Sequence, residues 1–480
     1  MSSPALPTQA RVVIIGGGVI GSSVAYHLAA MGCSDVVLLE RDRLTSGTTW
    51  HAAGLMITYG SLSETSTEIR KYSKELYSRL EAETGQATGF SPIGFIEVAA
   101  DADRLEEFRR IAAFNRYCGV DVHEISPREV GELFPLARVD DIAGGFYVPD
   151  DGRVNPVDVT MALAKGARQR GVRICEGVSA ISLLRERGRV AGVRTTQGDI
   201  RAEYVVNCAG MWARQLGEAA GITIPNQAAE HYYLITEAIP GLPPGMPVLE
   251  DPAYYGYYRQ EGAGLMVGLF EPVAAPWRLE GIPQEFSFGE LTPDYERVMP
   301  FLERSMERIP VTGQVGIRKF FCGPESFTPD LAPIVGEAPE LPGYFVAAGL
   351  NSIGILSGGG IGRVVAHWVL NGTPDVDVTG MNIDRLQRYQ ANPDYRRERT
   401  IESLGRVYTC HYPGEMLHSA RDAKRSPFHE RFAAMGAYFR ETSGWETPDW
   451  FAGAGETPQP GKLSWGRQDW WPLWAAEHQA

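Results

Sequence analysis

The chain has 480 residues, 44% of them hydrophobic and 22% charged, enough for two or three domains with sizeable cores, which excludes a disordered or fibrous protein. Its 54 glycines and 32 prolines are scattered without period, as in an ordinary α/β or α+β enzyme. A formal net charge of −14 repels phosphate backbones and anionic lipid, so nucleic acid is not an expected partner. Residues 1–10 carry neither a basic nor an apolar signal region, and no segment approaches the roughly 20 apolar residues that span a bilayer. A soluble chain is expected, cytoplasmic in a bacterium or in the mitochondrial matrix of a eukaryote, although no transit peptide is visible. The 6 cysteines lie far apart with no C-x-x-C pair, which predicts no metal site and no disulfide framework and fits a reducing compartment.

Val12 to Ile15 is a β-branched run of the kind that forms a strand buried on both faces, and it leads directly into Gly16-Gly17-Gly18-Val19-Ile20-Gly21. A helix is predicted from Ser22 to Met31, with Gly32 as its stop, and Val36 to Glu40 follows as the second strand of a βαβ unit. Helices are predicted over 66–84 and 103–117 with a strand at 92–99 between them, and another helix over 155–170 with Pro156 near its first turn. From 172 to 207 short strands alternate, separated at Arg187-Gly188 and Gln197-Gly198, and the last again meets glycine at Gly210. Between about 225 and 320 the pattern becomes aromatic-rich and alternating (231–235, 254–259, 264–270), as expected of an antiparallel sheet with one face on a cavity. A buried strand at 343–349, a glycine-rich loop reaching Gly360 and a closing helix over 361–370 complete this part. Beyond Asn382 the composition shifts to Arg, His, Pro and Trp, which predicts an irregular extension whose last residues, Trp470 to Trp474, have little sequence left to bury them.

The motif G-x-G-x-x-G (Gly16, Gly18, Gly21) is a weak signal alone, but here it joins a predicted strand to a predicted helix, and Glu40 ends the next strand 19 residues after Gly21. In that register the first glycine permits the turn, the second lets a pyrophosphate reach the helix end, the third allows helix and strand to touch, and Glu40 accepts from ribose hydroxyls. NAD and FAD sites share this fingerprint. The further cofactor-like segments lie near 204–212 and 343–362, interrupted by the aromatic sheet, and this split layout favours FAD. The expected fold class is therefore α/β plus β: a Rossmann-like FAD-binding domain (8–90, 151–224 and 321–381), an interleaved antiparallel-sheet substrate domain (91–150 and 225–320), and the irregular extension at 382–480.

Gly16 to Gly21, Glu40, Val206 to Ala213 and Ala348 to Gly354 together resemble the D-amino-acid-oxidase-like FAD amine oxidoreductases. More narrowly, Ser46 to Gly54, Cys322 to Asp330 and Gly336 to Leu341 resemble the sarcosine and dimethylglycine dehydrogenases, and the likeness runs almost end to end. Members of that family attach their flavin through the histidine of the T-W-H-A-A-G-L run, so the resemblance implies covalent FAD at His51, which the residues alone would suggest is a satisfied core histidine. Relatives that regulate pyruvate dehydrogenase phosphatase lack this histidine, so its presence favours a catalytic chain. The implied cofactor-binding set is Gly16, Gly18, Val19, Ile20, Gly21, Glu40 and Arg41, then Gly47, Thr48, Thr49, Trp50, His51, Ala53, Gly54 and Leu55, and finally Val178, Gly210, Trp212, Gly349, Asn351, Gly354, Ile355 and Leu356.

An N-methylated glycine is a small zwitterion, so its cavity needs a cation or donor for the carboxylate and an aromatic surface or acceptor for the amine. Tyr254-Tyr255-Gly256-Tyr257-Tyr258-Arg259 offers both; on a strand Tyr255, Tyr257 and Arg259 would share one face. Any single tyrosine here is equally well read as a cross-strand aromatic pair. His231 matches the family's histidine on the catalytic side of the flavin and Tyr257 its tyrosine partner, so the expected catalytic residues are His231, Tyr257 and Arg259, and no metal is expected. The resemblance implies N-demethylation of sarcosine or dimethylglycine, with hydride passing from the methyl group to flavin N5 and water or a folate trapping the one-carbon unit. An electron-transfer flavoprotein or oxygen would take the electrons. Tetrahydrofolate is expected to bind only where a further C-terminal, folate-binding domain is present.

Overall fold

A computed structural model describes residues 6–480 and contains two eight-stranded sheets. In the first, Gln9–Ile15 lies between Val36–Glu40 and Gly198–Asn207, parallel to both. Arg173–Glu176 and Tyr344–Ala348 extend it in parallel on either side, and Ile334–Glu337 closes one edge antiparallel. The β-branched run explains the layering. Val12 and Ile14 pack with residues of helices Val19–Ala30, Glu64–Thr84, Pro156–Gln169 and Gly354–Asn371, while Val13 and Ile15 pack with residues of the hairpin Ala180–Glu186 and Arg189–Thr195 and with Ile222 and Ile224. Ile15 stands opposite Leu39 and Asn207, and Asn207 opposite Val346, so four parallel strands end level and release their loops on one side.

Two expectations for this layer are corrected. The first helix begins at Val19, not Ser22, and so includes Gly21, where a Cβ would stand 1.9 Å from the Gly16 carbonyl oxygen. The glycine-rich stretch to Gly360 is helix, not loop: Gly354–Asn371 is continuous. Glycine costs a helix about 1 kcal/mol per residue relative to alanine, and tertiary contact overrides that here. A Cβ at Gly360 would meet the Ile69 carbonyl oxygen at 2.6 Å, and one at Gly362 the Ser23 Oγ at 2.1 Å.

The second sheet runs Ile317–Phe327, Gln227–Thr236, Gly264–Leu269, Gly256–Glu261, Val248–Asp251, Phe95–Ala99, Gly144–Val148 and His123–Ile125. All its pairs are antiparallel except Phe95–Ala99 with Val248–Asp251. The boundary placed at 320 is corrected, because Ile317–Phe327 pairs with Gln227–Thr236 as far as Phe327 opposite Gln227. The shared face of Tyr255, Tyr257 and Arg259 is also corrected. The chain turns at Pro252–Tyr254, Tyr255 takes a left-handed conformation (φ 58), and the strand starts at Gly256, so only Tyr257 and Arg259 share a face.

The extension is more regular than its composition suggests. It forms helix Pro393–Gly405, helix His429–Ala434, the hairpin Ala437–Thr442 and Trp445–Phe451, and helix Trp471–Gln479. Gly405 lies so close to the Pro272 carbonyl oxygen that a Cβ would meet it at 2.2 Å, which seats the first of these helices on the segment following the second sheet. None of the residues of Trp471–Gln479 is buried.

Candidate active site

A cleft opens where the level strands end. Gly16 (φ 109) makes the turn out of the first strand, with the Cys208 carbonyl oxygen 2.3 Å from where a Cβ would be, so no larger residue fits. Gly18 is the N-cap of the helix and offers no side-chain cap; Thr49 Oγ1 accepts from the Val19 N–H at 3.1 Å, and Gly18, Val19 and Ile20 line the cleft. Glu40 closes the turn by accepting from the Gly17 N–H at 2.7 Å and the Asp42 N–H at 3.0 Å, and burial raises its pKa. The Arg41 guanidinium lies 3.7 Å over the Trp212 ring.

Of the cofactor set, Gly16, Gly18, Val19, Ile20, Glu40, Arg41, Gly47, Thr48, Thr49 and Val178 line this cleft, and so do Gly210, Trp212, Gly349, Asn351, Gly354 and Ile355. Gly21 lies under the turn, while Trp50, His51, Ala53, Gly54, Leu55 and Leu356 stand outside that lining. Gly17, Ser46 and Glu325 line it as well, outside the expected set. Asn226 donates to the Gly210 carbonyl (3.2 Å) and to Ser326 Oγ (2.9 Å), tying two cleft loops together.

The cleft has the walls a flavin dinucleotide needs. Among residues lining it, Arg41 Nη1 and Glu325 Oε2 are buried without a protein partner, and so are Asn226 Oδ1, on the residue that bonds the Gly210 carbonyl, and, outside the lining, Trp50 Nε1 and His51 Nε2. Leaving such atoms unsatisfied costs about 1–3 kcal/mol each, so together they mark a space shaped for a polar ligand.

Trp50, Ala53 and Leu55 pack in one cluster with Tyr233, Tyr257, Met266 and Phe321 of the second sheet. His51 is 5% exposed, its ring 5.3 Å from Trp50 and 5.0 Å from Phe321, and burial lowers its pKa to about 4. It is therefore a neutral imidazole at pH 7. A Cβ at Gly323 would come within 3.2 Å of its Cε1, so that glycine gives the ring room.

His231 Nε2 meets Tyr257 Oη at 3.1 Å, both residues buried. Tyr257 reaches across the neighbouring strand because Gly268 opposite it has no side chain; a Cβ there would stand 1.8 Å from Tyr257 Cζ. Burial raises the Tyr257 pKa well above its ordinary value, keeping the hydroxyl protonated. Phe270 flanks His231 at 4.8 Å, and Tyr408, from the extension, packs edge-on against Phe270 at 5.0 Å. Arg259 is not drawn into this hydrogen bond: its guanidinium pairs with Glu261, and Arg153 is its neighbouring cation. Gly268 and Tyr408 carried no signal in the sequence. Glu325 lies inside the Cys322 to Asp330 motif that carries the resemblance, which was the available cue.

The FAD dependent oxidoreductase family model matches residues 11–368. The chain belongs to this FAD-dependent oxidoreductase family. A second model, the FAD dependent oxidoreductase central domain, matches residues 371–426. The chain is 40% identical over 475 residues to the 4-methylaminobutanoate oxidase (formaldehyde-forming) of Paenarthrobacter nicotinovorans, covering 99% of this chain and 57% of that protein. It is 40% identical to human mitochondrial sarcosine dehydrogenase (94% of this chain, 50% of that one) and 38% identical to the mouse mitochondrial pyruvate dehydrogenase phosphatase regulatory subunit (94% and 51%). It thus spans about half the length of these curated relatives. Among solved structures, the L-proline dehydrogenase of P. horikoshii superposes with a TM-score of 0.70 at 26% identity, over 79% of this chain and 98% of that one. Among the described residues no helix is long and apolar enough to cross a membrane.

Proposed function

We propose that this FAD-dependent oxidoreductase removes an N-methyl group from a small secondary or tertiary amino acid of the sarcosine or dimethylglycine class. The buried bond between His231 and Tyr257, on the sheet face that packs with Trp50 beside His51, carries the reading. Bound FAD supplies a two-electron acceptor for the C–H bond next to nitrogen. On this reading Gly16, Gly18 and the opening helix hold the pyrophosphate, Glu40 the ribose, and His51, neutral and with Nε2 unpartnered, is the point of covalent attachment. His231 and Tyr257 orient the substrate amine. The packed aromatic wall of Phe270, Tyr233 and Phe321 excludes water and favours the neutral amine by desolvation. Tetrahydrofolate, where the relatives' class uses it, would bind in the portion of their length that this chain does not span.

A competing reading, a non-catalytic flavoprotein subunit, is favoured by the 38% identity to the phosphatase regulatory subunit. One preparation separates the two. Flavin absorbance that stays with acid-precipitated protein supports attachment at His51. Bleaching under nitrogen by sarcosine, dimethylglycine or 4-methylaminobutanoate supports catalysis, and an oxidised spectrum after all three overturns it.

A further inference from the structure

A carboxylate of the cofactor cleft lacks a protein partner. Glu325 lines that cleft, and its Oε2 is buried without a donor. Phe321, Gly323 and Glu325 are alternate residues of Ile317–Phe327 and so share one face, opposite Tyr233, His231 and Ala229 of the neighbouring strand. His51 sits against that face: its ring lies 5.0 Å from Phe321, and a Cβ at Gly323 would be 3.2 Å from its Cε1. Glu325 stands two residues beyond Gly323, about 7 Å along the strand, and there the face reaches the cleft lining.

The other titratable groups about His51 are already engaged. Those that act on its imidazole are Glu325, His231 and Glu290. His231 meets Tyr257 Oη at 3.1 Å, and Glu290 accepts from Lys319 Nζ at 2.7 Å. Of the two carboxylates, Glu325 is the one with a buried oxygen lacking a donor. Its strand is fixed at this point, because the Ser326 carbonyl accepts from the Asn351 N–H at 3.0 Å and Ser326 Oγ from Asn226 Nδ2 at 2.9 Å. Glu325 is also partly exposed, so a proton it takes up can pass on to solvent.

We propose that Glu325 is the proton acceptor for covalent attachment of the flavin, an inference that rests on the reading of His51 as the attachment point. Attachment exchanges a C–H bond of the flavin's ring methyl group for a C–N bond to the imidazole. The C–H proton goes to Glu325 and its electron pair into the flavin ring. The imidazole nitrogen supplies the pair for the new bond, and the imidazole N–H proton goes to water. Dioxygen then takes two electrons and two protons as hydrogen peroxide, restoring the oxidised ring. A neutral His51 keeps the lone pair that the new bond needs, so the methyl proton requires a second group, and a carboxylate without a donor is suited to receive it.

The test uses the full chain, prepared without flavin and then given saturating FAD in air, and reads the flavin retained by acid-precipitated protein against time. The visible spectrum before acid reports binding separately from attachment. Wild type is expected to accumulate flavin in the pellet. Glu325→Gln keeps the size of the side chain and loses the base, so it should bind FAD yet attach it at least about tenfold more slowly. Glu325→Ala should be as slow, and added formate should speed it by about threefold or more where chloride at the same concentration does not. Attachment by Glu325→Gln at the wild-type rate overturns the inference. A slow Glu325→Ala that formate leaves unchanged does the same, because a free carboxylate replaces a base but not a structural contact. Where one variant fails to bind FAD the other decides, and failure of both makes Glu325 a binding residue and overturns its role as acceptor. His51→Ala separates the inference from the reading beneath it. Pellet flavin that persists in His51→Ala, or none in wild type, removes the attachment point and Glu325 with it, whereas attachment lost in His51→Ala and unimpaired in Glu325→Gln removes Glu325 alone.

Discussion

Tyr257 reaches His231 only because residue 268 has no side chain, so the pair is as much a property of the glycine as of the tyrosine. Tyr257→Phe removes the bond and leaves the ring, and flavin reduction by an N-methyl amino acid is expected to slow by about tenfold or more at unchanged flavin content. Gly268→Ala is expected to give a similar defect, because its Cβ would occupy the place of the tyrosine ring. The double variant should be little slower than either single one, which stopped-flow reduction would show; additive losses would mean that Gly268 acts elsewhere. His51→Ala should yield protein whose flavin is released into the acid supernatant.

At the scale of elements, the two helices nearest the cleft touch through residues too small to separate them. Gly362→Ala would press a methyl group into Ser23, and overpacking of this kind costs about 1–3 kcal/mol, readable as a lower urea midpoint. The same layer holds His27, whose Nδ1 meets the Ser23 carbonyl at 2.7 Å and whose Nε2 meets Tyr72 Oη at 3.0 Å. Burial lowers its pKa from 6.5 to about 4. The folded state therefore prefers neutral His27: its contribution is complete above pH 6.5 and declines as pH falls toward 4, by on the order of 3 kcal/mol in full. Urea unfolding at pH 7.5 and pH 5 should show this loss, and His27→Gln should flatten it.

Across the whole molecule, the sheet beside the cleft is assembled from stretches 9–40, 173–207 and 334–348, and the substrate face from strands between 95 and 327, with the segment around Tyr408 laid over it. Arg104 holds that strap by two carbonyl oxygens, so Arg104→Ala should speed proteolysis between residues 405 and 412 while flavin content stays the same. Calorimetry should show FAD bound by the apoprotein.

Local chemistry made part of this legible in advance. The run Val12 to Ile15, the glycines at 16, 18 and 21 and the acid at 40 announce a nucleotide turn because each feature answers to its neighbours within one βαβ unit. The motif around His51 and the pair His231 and Tyr257 were reached through resemblance, and the structure adds their burial and their contacts. Only the tertiary structure could tell that Gly354 to Gly360 is helix and that Tyr255 leaves its strand. It alone shows that Gly268 makes room for a ring. For the glycine-rich helix the deciding contacts, with Ile69 and Ser23, come from far away in sequence, and no pattern along the chain encodes what packs against it.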